Sequence, residues 1–142
     1  MRNHYHVVNE TPNANLVSGT AWLQSTYTIR LNNRRKLTGH VLSGRYKAQV
    51  VEGSGNGYLR SACDYVHLNP VRARLLAPED RLLANPWRNF PWYLAAREHR
   101  PHWLRVERLF GDHGIPQDTP AGRQEFERQM ERRRLEELDQ SP

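Results

Sequence analysis

The chain has 142 residues, enough for one modest hydrophobic core, and its 37% hydrophobic and 25% charged content is typical of a globular protein. No run of about 18 apolar residues occurs, so we expect no membrane-spanning helix, and the polar start is unlike a secretory signal peptide. The single cysteine, Cys63, excludes an internal disulfide and is typical of a reducing compartment, which predicts a cytoplasmic protein.

Positive charge is concentrated in the first 110 residues. The net charge is +6, but residues 1–110 hold 16 Lys and Arg against 7 Asp and Glu, whereas residues 111–142 hold 5 against 8. Between Arg30 and Arg74 there are nine basic residues and two acidic ones. Such a basic centre is expected of a protein that binds a phosphate backbone, although a solvated basic surface has the same composition.

The first predicted element is a strand from His4 to Glu10. Because side chains two residues apart share one face of a strand, His4 and His6 would present adjacent imidazoles, a pair that suits a divalent cation. A second strand is predicted from Arg45 to Glu52, where β-prone residues alternate, and Gly53–Gly57 reads as a flexible connector.

Between these strands, the apolar spacing from Leu16 to about Leu31 predicts a helix. Its apolar face is predicted to pack in the core. That face comprises Leu16, Thr20, Leu23 and Tyr27.

A second helix is predicted from Tyr58 to Leu68 and is expected to be broken by Pro70, which lacks the N–H that helix propagation needs. Tyr65 and Asn69 are four residues apart and therefore share a face. A tyrosine beside a polar amide places a hydroxyl nucleophile next to a candidate metal ligand, although a helical tyrosine more often belongs to a core or an interface.

The remainder is predicted to be helical, with short helices from Ala77 to Gly114 wrapped on the core by tryptophans. Packing explains these tryptophans, although an aromatic cluster can also stack unpaired bases. Pro120–Leu138 is predicted to be a charged, solvated helix that extends from the body. We therefore divide the chain at residues 76 and 115, into parts comprising residues 1–76, 77–115 and 116–142.

Several segments, in their order and spacing, carry a resemblance to a known family. They are Asn3–His6, Leu42–Lys47, Tyr65–Ala73, Pro86–Phe90 and Trp103-Leu104 with Leu109–Gly111. The chain thereby resembles the REP-associated tyrosine transposases, which belong to the single-tyrosine HUH endonucleases. The run from Tyr65 through Asn-Pro-Val-Arg is the most specific of these motifs.

The resemblance implies an α+β fold, namely a ferredoxin-like HUH domain in which helices pack on an antiparallel sheet, followed by C-terminal helices. In that family a strand and a helix precede the histidine strand, whereas here Met1 comes almost directly before it. We therefore expect a partial domain, with residues 1–76 lacking the first strand and helix.

The resemblance also implies an activity. Tyr65 would attack a phosphodiester of single-stranded or hairpin DNA to form a 5′-phosphotyrosine, as in DNA transposition, while His4, His6 and, by position, Asn69 would hold Mg²⁺ or Mn²⁺. Basic side chains are candidates for contacts with the DNA backbone. They are Arg30, Arg34, Arg35, Lys36, Arg45, Lys47, Arg72 and Arg74.

Two other interpretations remain beside this enzyme. The chain can be a catalytically inactive nucleic-acid-binding remnant of such a transposase, which keeps the basic surface without a competent site. A structural zinc module built from His4, His6, His40 and Cys63 is the weaker alternative, because the spacing fits no common zinc motif. The sequence leaves open the target hairpin and the choice between monomer and dimer.

Overall fold

The computed structural model describes residues 4–51, 57–86 and 89–139, and these residues form five α-helices. The helices are α1 (Leu16–Arg35), α2 (Tyr58–Arg72), α3 (Phe90–Leu94), α4 (Glu107–Asp112) and α5 (Pro120–Asp139). Two short 3₁₀ turns lie between α2 and α4, at Leu82–Ala84 and Arg97–His99. None of the described helices is both long and apolar enough to cross a membrane.

The predicted α+β fold with an antiparallel sheet is wrong, because the described residues form no strand. Both predicted strands, His4–Glu10 and the described part of Arg45–Glu52, lack regular secondary structure. A strand is stable only where a neighbouring strand hydrogen-bonds to its backbone N–H and C=O groups, and neither segment has such a neighbour among the described residues. Glu52 and most of the predicted connector Gly53–Gly57 lie outside the described residues.

The chain divides into two compact units. One, the α1 unit, is Asn9–Val50, and the other, the core unit, joins the described residues of Met1–Val8 to those of Val51–Pro142. The predicted first helix is confirmed and continues to Arg35, but its predicted role in the core is wrong, because α1 contains no buried residue. The face assigned to the core was expected to pack on a sheet, and the described structure has no sheet to cover it.

The core unit is built around α2, which packs against α4 and α5, while α3 packs against α5. At its centre lies Phe126 of α5, fully buried and in ring contact with Phe110 of α4 and Tyr93 of α3. His67 of α2 is also buried in this aromatic cluster. The short helices predicted after residue 77 are confirmed, but the prediction that tryptophans pack them on the core is wrong for Trp92 and Trp103, which are exposed. Phe90 and Phe110 make the ring contacts with α5 instead.

The predicted break of the second helix at Pro70 is wrong, because α2 runs through Pro70 to Arg72. A proline inside a helix costs about 3 kcal/mol through its missing N–H and its ring. In α2 this cost is offset by burial of the same turn, since Leu68, Pro70 and Val71 are all buried. Burial of a large aliphatic side chain stabilises by roughly 2 kcal/mol.

The C-terminal helix is confirmed at nearly the predicted bounds, but the prediction that it is solvated is wrong. It begins with a Thr-Pro pair, in which the Thr119 hydroxyl accepts a hydrogen bond from the Gly122 N–H at 3.0 Å. A side chain at position 122 would collide with the Gln117 carbonyl and with Ile115, so glycine is needed for this close approach. Four residues at helical spacing face the core. They are Gly122, Phe126, Met130 and Arg134.

A buried carboxylate ties α2 to the C-terminal half of the core unit. Asp64 has no exposed surface, and its two oxygens contact Nε2 of His113 at 2.9 Å and a guanidinium nitrogen of Arg133. Arg60, one turn earlier on α2, lies 3.6 Å from the same carboxylate. The opposite ring nitrogen of His113 lies 2.9 Å from the Gln129 amide oxygen of α5. The Asp64 carboxylate is therefore held by residues from three parts of the chain.

A second ion pair fixes the segment between α3 and α4. Arg100 has a side chain that is 4% exposed, and it bonds both oxygens of Asp118, at 2.6 and 3.0 Å. Its Nε also donates to the backbone carbonyls of Trp92 and Ala95, each at 2.9 Å. Arg123 supports Asp118 from α5 at 2.8 Å. Arg100 therefore joins the end of α3 to the start of α5.

We expect Asp64→Ala to lower the free energy of unfolding by about 2–3 kcal/mol, because it leaves the buried His113 ring without its hydrogen-bond partner and the partly exposed Arg133 without its counter-charge. Urea denaturation followed by circular dichroism measures the loss. Arg128→Gln is the matched control, because Arg128 pairs with Glu125 at the surface of α5 and such pairs contribute little. Similar unfolding midpoints for the two variants would refute the assigned role of Asp64.

The Arg100–Asp118 pair predicts a pH dependence of stability. The hydrogen bond from Arg100 chiefly lowers the pKa of Asp118, partly opposed by desolvation and aided by Arg123. Because the folded pKa is depressed, the stabilisation is complete above the ordinary Asp value of about 3.9 and is lost as pH falls through the lower folded value. We expect Asp118→Asn to be less stable at pH 7, with the difference narrowing below about pH 4. Urea midpoints measured across pH test this, and a pH-independent difference would contradict it.

Candidate functional site

His4, His6 and Tyr65 lie side by side at the surface of the core unit. The ring centroids of His4 and His6 are 5.1 Å apart at an interplanar angle of 87°. The His6 ring stands edge-on to the Tyr65 ring of α2, with 5.5 Å between centroids and an angle of 90°. Tyr65 is 45% exposed, so a ligand can reach its ring and hydroxyl. The histidines come together here without the predicted strand.

Arg72 and Glu137 complete this surface. The Arg72 guanidinium lies 4.9 Å from the centroid of the Tyr65 ring, in a cation–π arrangement. The same guanidinium makes a bidentate contact with Glu137 near the end of α5, in which Nε donates to one carboxylate oxygen at 2.7 Å. These hydrogen bonds raise the pKa of Arg72 and lower that of the Glu137 carboxyl. The carboxylate therefore holds a cation against the Tyr65 ring.

Asn69 lies one turn after Tyr65 but is buried, with 5% of its surface exposed. Its side-chain nitrogen is the one buried side-chain polar atom in the described part of the chain that has no hydrogen-bond partner. Burial of an unpaired amide N–H costs free energy. Either the unpaired amide is a tolerated defect in the packing, or the Asn69 side chain is retained as a metal ligand.

The two histidines fit a shared cation, whereas the wider ligand set is incomplete. Two imidazoles on one metal have centroids roughly 5 Å apart, because each coordinating nitrogen lies about 2 Å from the ion. The observed separation of 5.1 Å for His4 and His6 agrees with this. Within residues 4–51, 57–86 and 89–139, no group of three or more His, Cys, Asp and Glu side chains is placed to hold a metal. A cation on this pair would therefore need Asn69, water or a substrate oxygen.

The pKa of His6 is lowered, chiefly by desolvation and also by the neighbouring positive charges of His4 and the N-terminus. A lower pKa favours the neutral imidazole, the form whose nitrogen lone pair can bind a metal. The zinc alternative gains no such support, because burial raises the pKa of the Cys63 thiol to about 11 and so disfavours the thiolate that zinc requires.

The predicted DNA contacts fall in both units. Arg72 and Arg74 lie at the end of α2 in the core unit, both exposed, and Arg74 has a left-handed backbone with φ of 52°. The other six candidates belong to the α1 unit and are all exposed. They are Arg30, Arg34, Arg35, Lys36, Arg45 and Lys47.

Sequence reasoning missed the contact of Arg72 with Tyr65 and the part played by Glu137. The contact of Arg72 with Tyr65 could have been predicted from the sequence, since residues seven apart on a helix lie two turns apart on one face. It was overlooked because Pro70 was taken to end the helix between them. No local sequence pattern could have predicted the contact of Glu137 with Arg72, because the two residues are 65 positions apart in the chain.

A scan against protein-family models, a search of curated proteins and a search of solved structures each find nothing that matches this chain.

We expect Asn69→Leu to change the free energy of unfolding by no more than about 1 kcal/mol, because it removes a buried donor that already lacks a partner. Urea denaturation of the metal-free protein measures this, with Asp64→Ala as the strongly destabilised reference. A loss of several kcal/mol would show that the Asn69 amide makes a stabilising contact. Titration of the same variant with Mn²⁺ distinguishes a packing defect from a metal ligand, since only a ligand role predicts weaker metal binding.

Proposed function

We propose that this chain is a metal-dependent DNA endonuclease and strand transferase of the single-tyrosine kind, which acts on single-stranded or hairpin DNA in transposition. The observation that carries the proposal is the contact of the His6 ring with the Tyr65 ring, in a cluster that also includes His4 and Arg72. The histidines lie about 60 residues before Tyr65 and Arg72 in the chain, and all four belong to segments that carry the family resemblance. The proposal does not require the ferredoxin-like sheet, which the described residues lack.

Tyr65 is the proposed nucleophile. Its hydroxyl oxygen would form a bond to the scissile phosphorus, the bond from phosphorus to the 3′-oxygen would break, and that oxygen would leave as a 3′-hydroxyl. The product is a 5′-phosphotyrosine, which a second 3′-hydroxyl can attack to rejoin the DNA. Because each step exchanges one phosphoester for another, no external energy source is needed.

The surrounding residues would support this transfer. Arg72, held by Glu137, places positive charge against the Tyr65 ring, where it favours negative charge developing on the phenolic oxygen. A Mg²⁺ or Mn²⁺ held by His4 and His6, with Asn69 as the candidate third ligand, would polarise the scissile phosphate. The exposed basic residues of the α1 unit and Arg74 are proposed to bind the DNA backbone. Such a protein would work on the nucleoid of a bacterial cytoplasm.

The second candidate function is a DNA-binding remnant without catalysis. Two observations favour it. Asn69, the candidate third metal ligand, is buried, whereas His4 and His6 are exposed. The described residues also form no sheet that would fix the positions of His4 and His6. The exposed cations of the α1 unit suffice for binding in this case. The two functions differ in whether a covalent adduct forms.

We expect Tyr65→Phe to abolish covalent attachment to a single-stranded oligonucleotide in Mn²⁺ while leaving binding nearly unchanged, because only the hydroxyl is removed. A denaturing gel detects the adduct, and fluorescence anisotropy measures binding. Tyr58→Phe is the matched control, because Tyr58 is another exposed tyrosine of α2, two turns earlier. His6→Ala should also stop attachment, with partial rescue by excess Mn²⁺.

An adduct that persists with Phe at position 65 would refute the nucleophile. If the unmodified chain binds the oligonucleotide but forms no adduct with any hairpin or single strand tested in Mg²⁺ or Mn²⁺, the binding remnant is the correct function for this chain.

A further inference from the structure

Two exposed tryptophans form a pair on the core unit. Trp92 of α3 is 40% exposed and Trp103 is 60% exposed. Their ring centroids are 5.7 Å apart at an interplanar angle of 81°, so the edge of one ring meets the face of the other. Isolated exposed apolar residues are ordinary, but two large aromatic rings in contact form an apolar patch that marks a binding surface.

The pair is held on a fixed backbone. Arg100, itself buried, donates from Nε to the carbonyl of Trp92, and both its Nε and Nη2 donate to the carbonyl of Ala95. Asp118 neutralises the guanidinium on its other side. The network therefore fixes the backbone that carries the Trp92 ring, so a ligand would not have to order that backbone first.

Trp103 is fixed by its own turn. The Leu104 N–H donates to the Pro101 carbonyl at 3.0 Å, which closes a four-residue turn with Trp103 as its third residue. Leu104 packs against the hydrophobic core, so the turn is anchored while the Trp103 ring stays at the surface.

The chain segment that contains Trp103 carries mainly positive charge. Glu98 and Glu107 are the acidic residues in the segment 97–108. The same segment carries three exposed arginines and two exposed histidines. They are Arg97, Arg105, Arg108, His99 and His102. A surface that combines exposed aromatic rings with cations matches single-stranded nucleic acid, whose bases stack on the rings while its phosphates attract the cations.

We propose that Trp92 and Trp103 form a stacking platform for unpaired bases of single-stranded DNA, flanked by Arg97 and Arg105 as phosphate contacts. The choice of DNA rests on the proposed function. The platform gives that function a means of selecting unpaired DNA, because the bases of a duplex are stacked on each other and their faces are not available to a protein ring.

The test is an anisotropy titration with two oligonucleotides of equal length and charge, one of thymidines and one of abasic sites. We expect Trp103→Ala to weaken binding of the thymidine strand about 10-fold, since one base–aromatic stack accounts for roughly that factor. The abasic strand has no bases to stack, so the same variant should bind it as the unmodified protein does. Arg97→Gln should weaken both strands and reduce the salt dependence of binding by about one ion.

Two variants control for trivial causes. Trp22→Ala removes an even more exposed tryptophan, 68% exposed, from the α1 unit and should bind both strands normally. Trp103→Phe keeps a smaller ring against Trp92, so it should retain part of the preference for bases if Trp103→Ala proves poorly folded by circular dichroism.

Equal loss of affinity for both strands, or no loss for either, would overturn the platform. So would a change in sedimentation of Trp103→Ala with unchanged oligonucleotide binding, because the pair would then contact protein rather than DNA. All titrations use a Tyr65→Phe background, in which no adduct forms. A failure of the nucleophile assignment therefore leaves the stacking result unaffected, and a failure of the platform leaves the adduct assay unaffected.

Discussion

The core unit depends on the carboxylate of Asp64, which is buried without any contact with water. A lone buried carboxylate would cost several kcal/mol, so it is stable only because His113, Arg133 and Arg60 surround it. These partners come from α2, from the end of α4 and from α5. The position of α2 along α5 is therefore determined by charge and hydrogen-bond geometry as well as by apolar packing, which alone would tolerate sliding.

This constraint matters for function because α2 serves two purposes at once. One face of α2 is buried, with Asp64, His67 and Leu68 in the core, and the next residue after Asp64 is the exposed Tyr65. An adjoining face presents Tyr65 to the histidines and Arg72 to Glu137. Any shift of α2 that disturbed the buried cluster would move the candidate nucleophile, so the stability of the core and the geometry of the site are coupled.

Acidic residues of the C-terminal part of the chain form ion pairs within the molecule. Residues 111–142 carry the excess of negative charge, and several of these acids pair with basic residues from earlier in the chain: Asp118 with Arg100, Glu127 with Arg81 and Glu137 with Arg72. In the core unit, the net charge of residues 1–110 therefore overstates the positive charge available to a ligand, because part of it is paired with these acids. In the α1 unit the basic residues are exposed, so the proposed attraction for a DNA backbone would be strongest there.

Local sequence patterns predicted the helices well and their surroundings poorly. The 3.6-residue spacing located α1, the start of α2 and α5, because helical hydrogen bonds are made within the segment itself. The predicted strands failed because a strand needs a partner from elsewhere in the chain, and β-prone composition cannot supply one. The passage of α2 through Pro70 was equally unpredictable from local rules, since burial of the last turn offsets the local cost.

For the candidate site, the sequence by itself determined which side chains were available: two histidines at a spacing of two, a tyrosine on a helix, and an arginine seven residues after it. Only the tertiary structure decided that His6 contacts Tyr65, that Glu137 holds Arg72 over the ring, and that Asn69 is buried. The physical reason is that each of these contacts joins segments distant in sequence or depends on what covers a residue. Neither property is encoded in the local pattern, because both arise when α2 and α5 pack around the buried charge of Asp64.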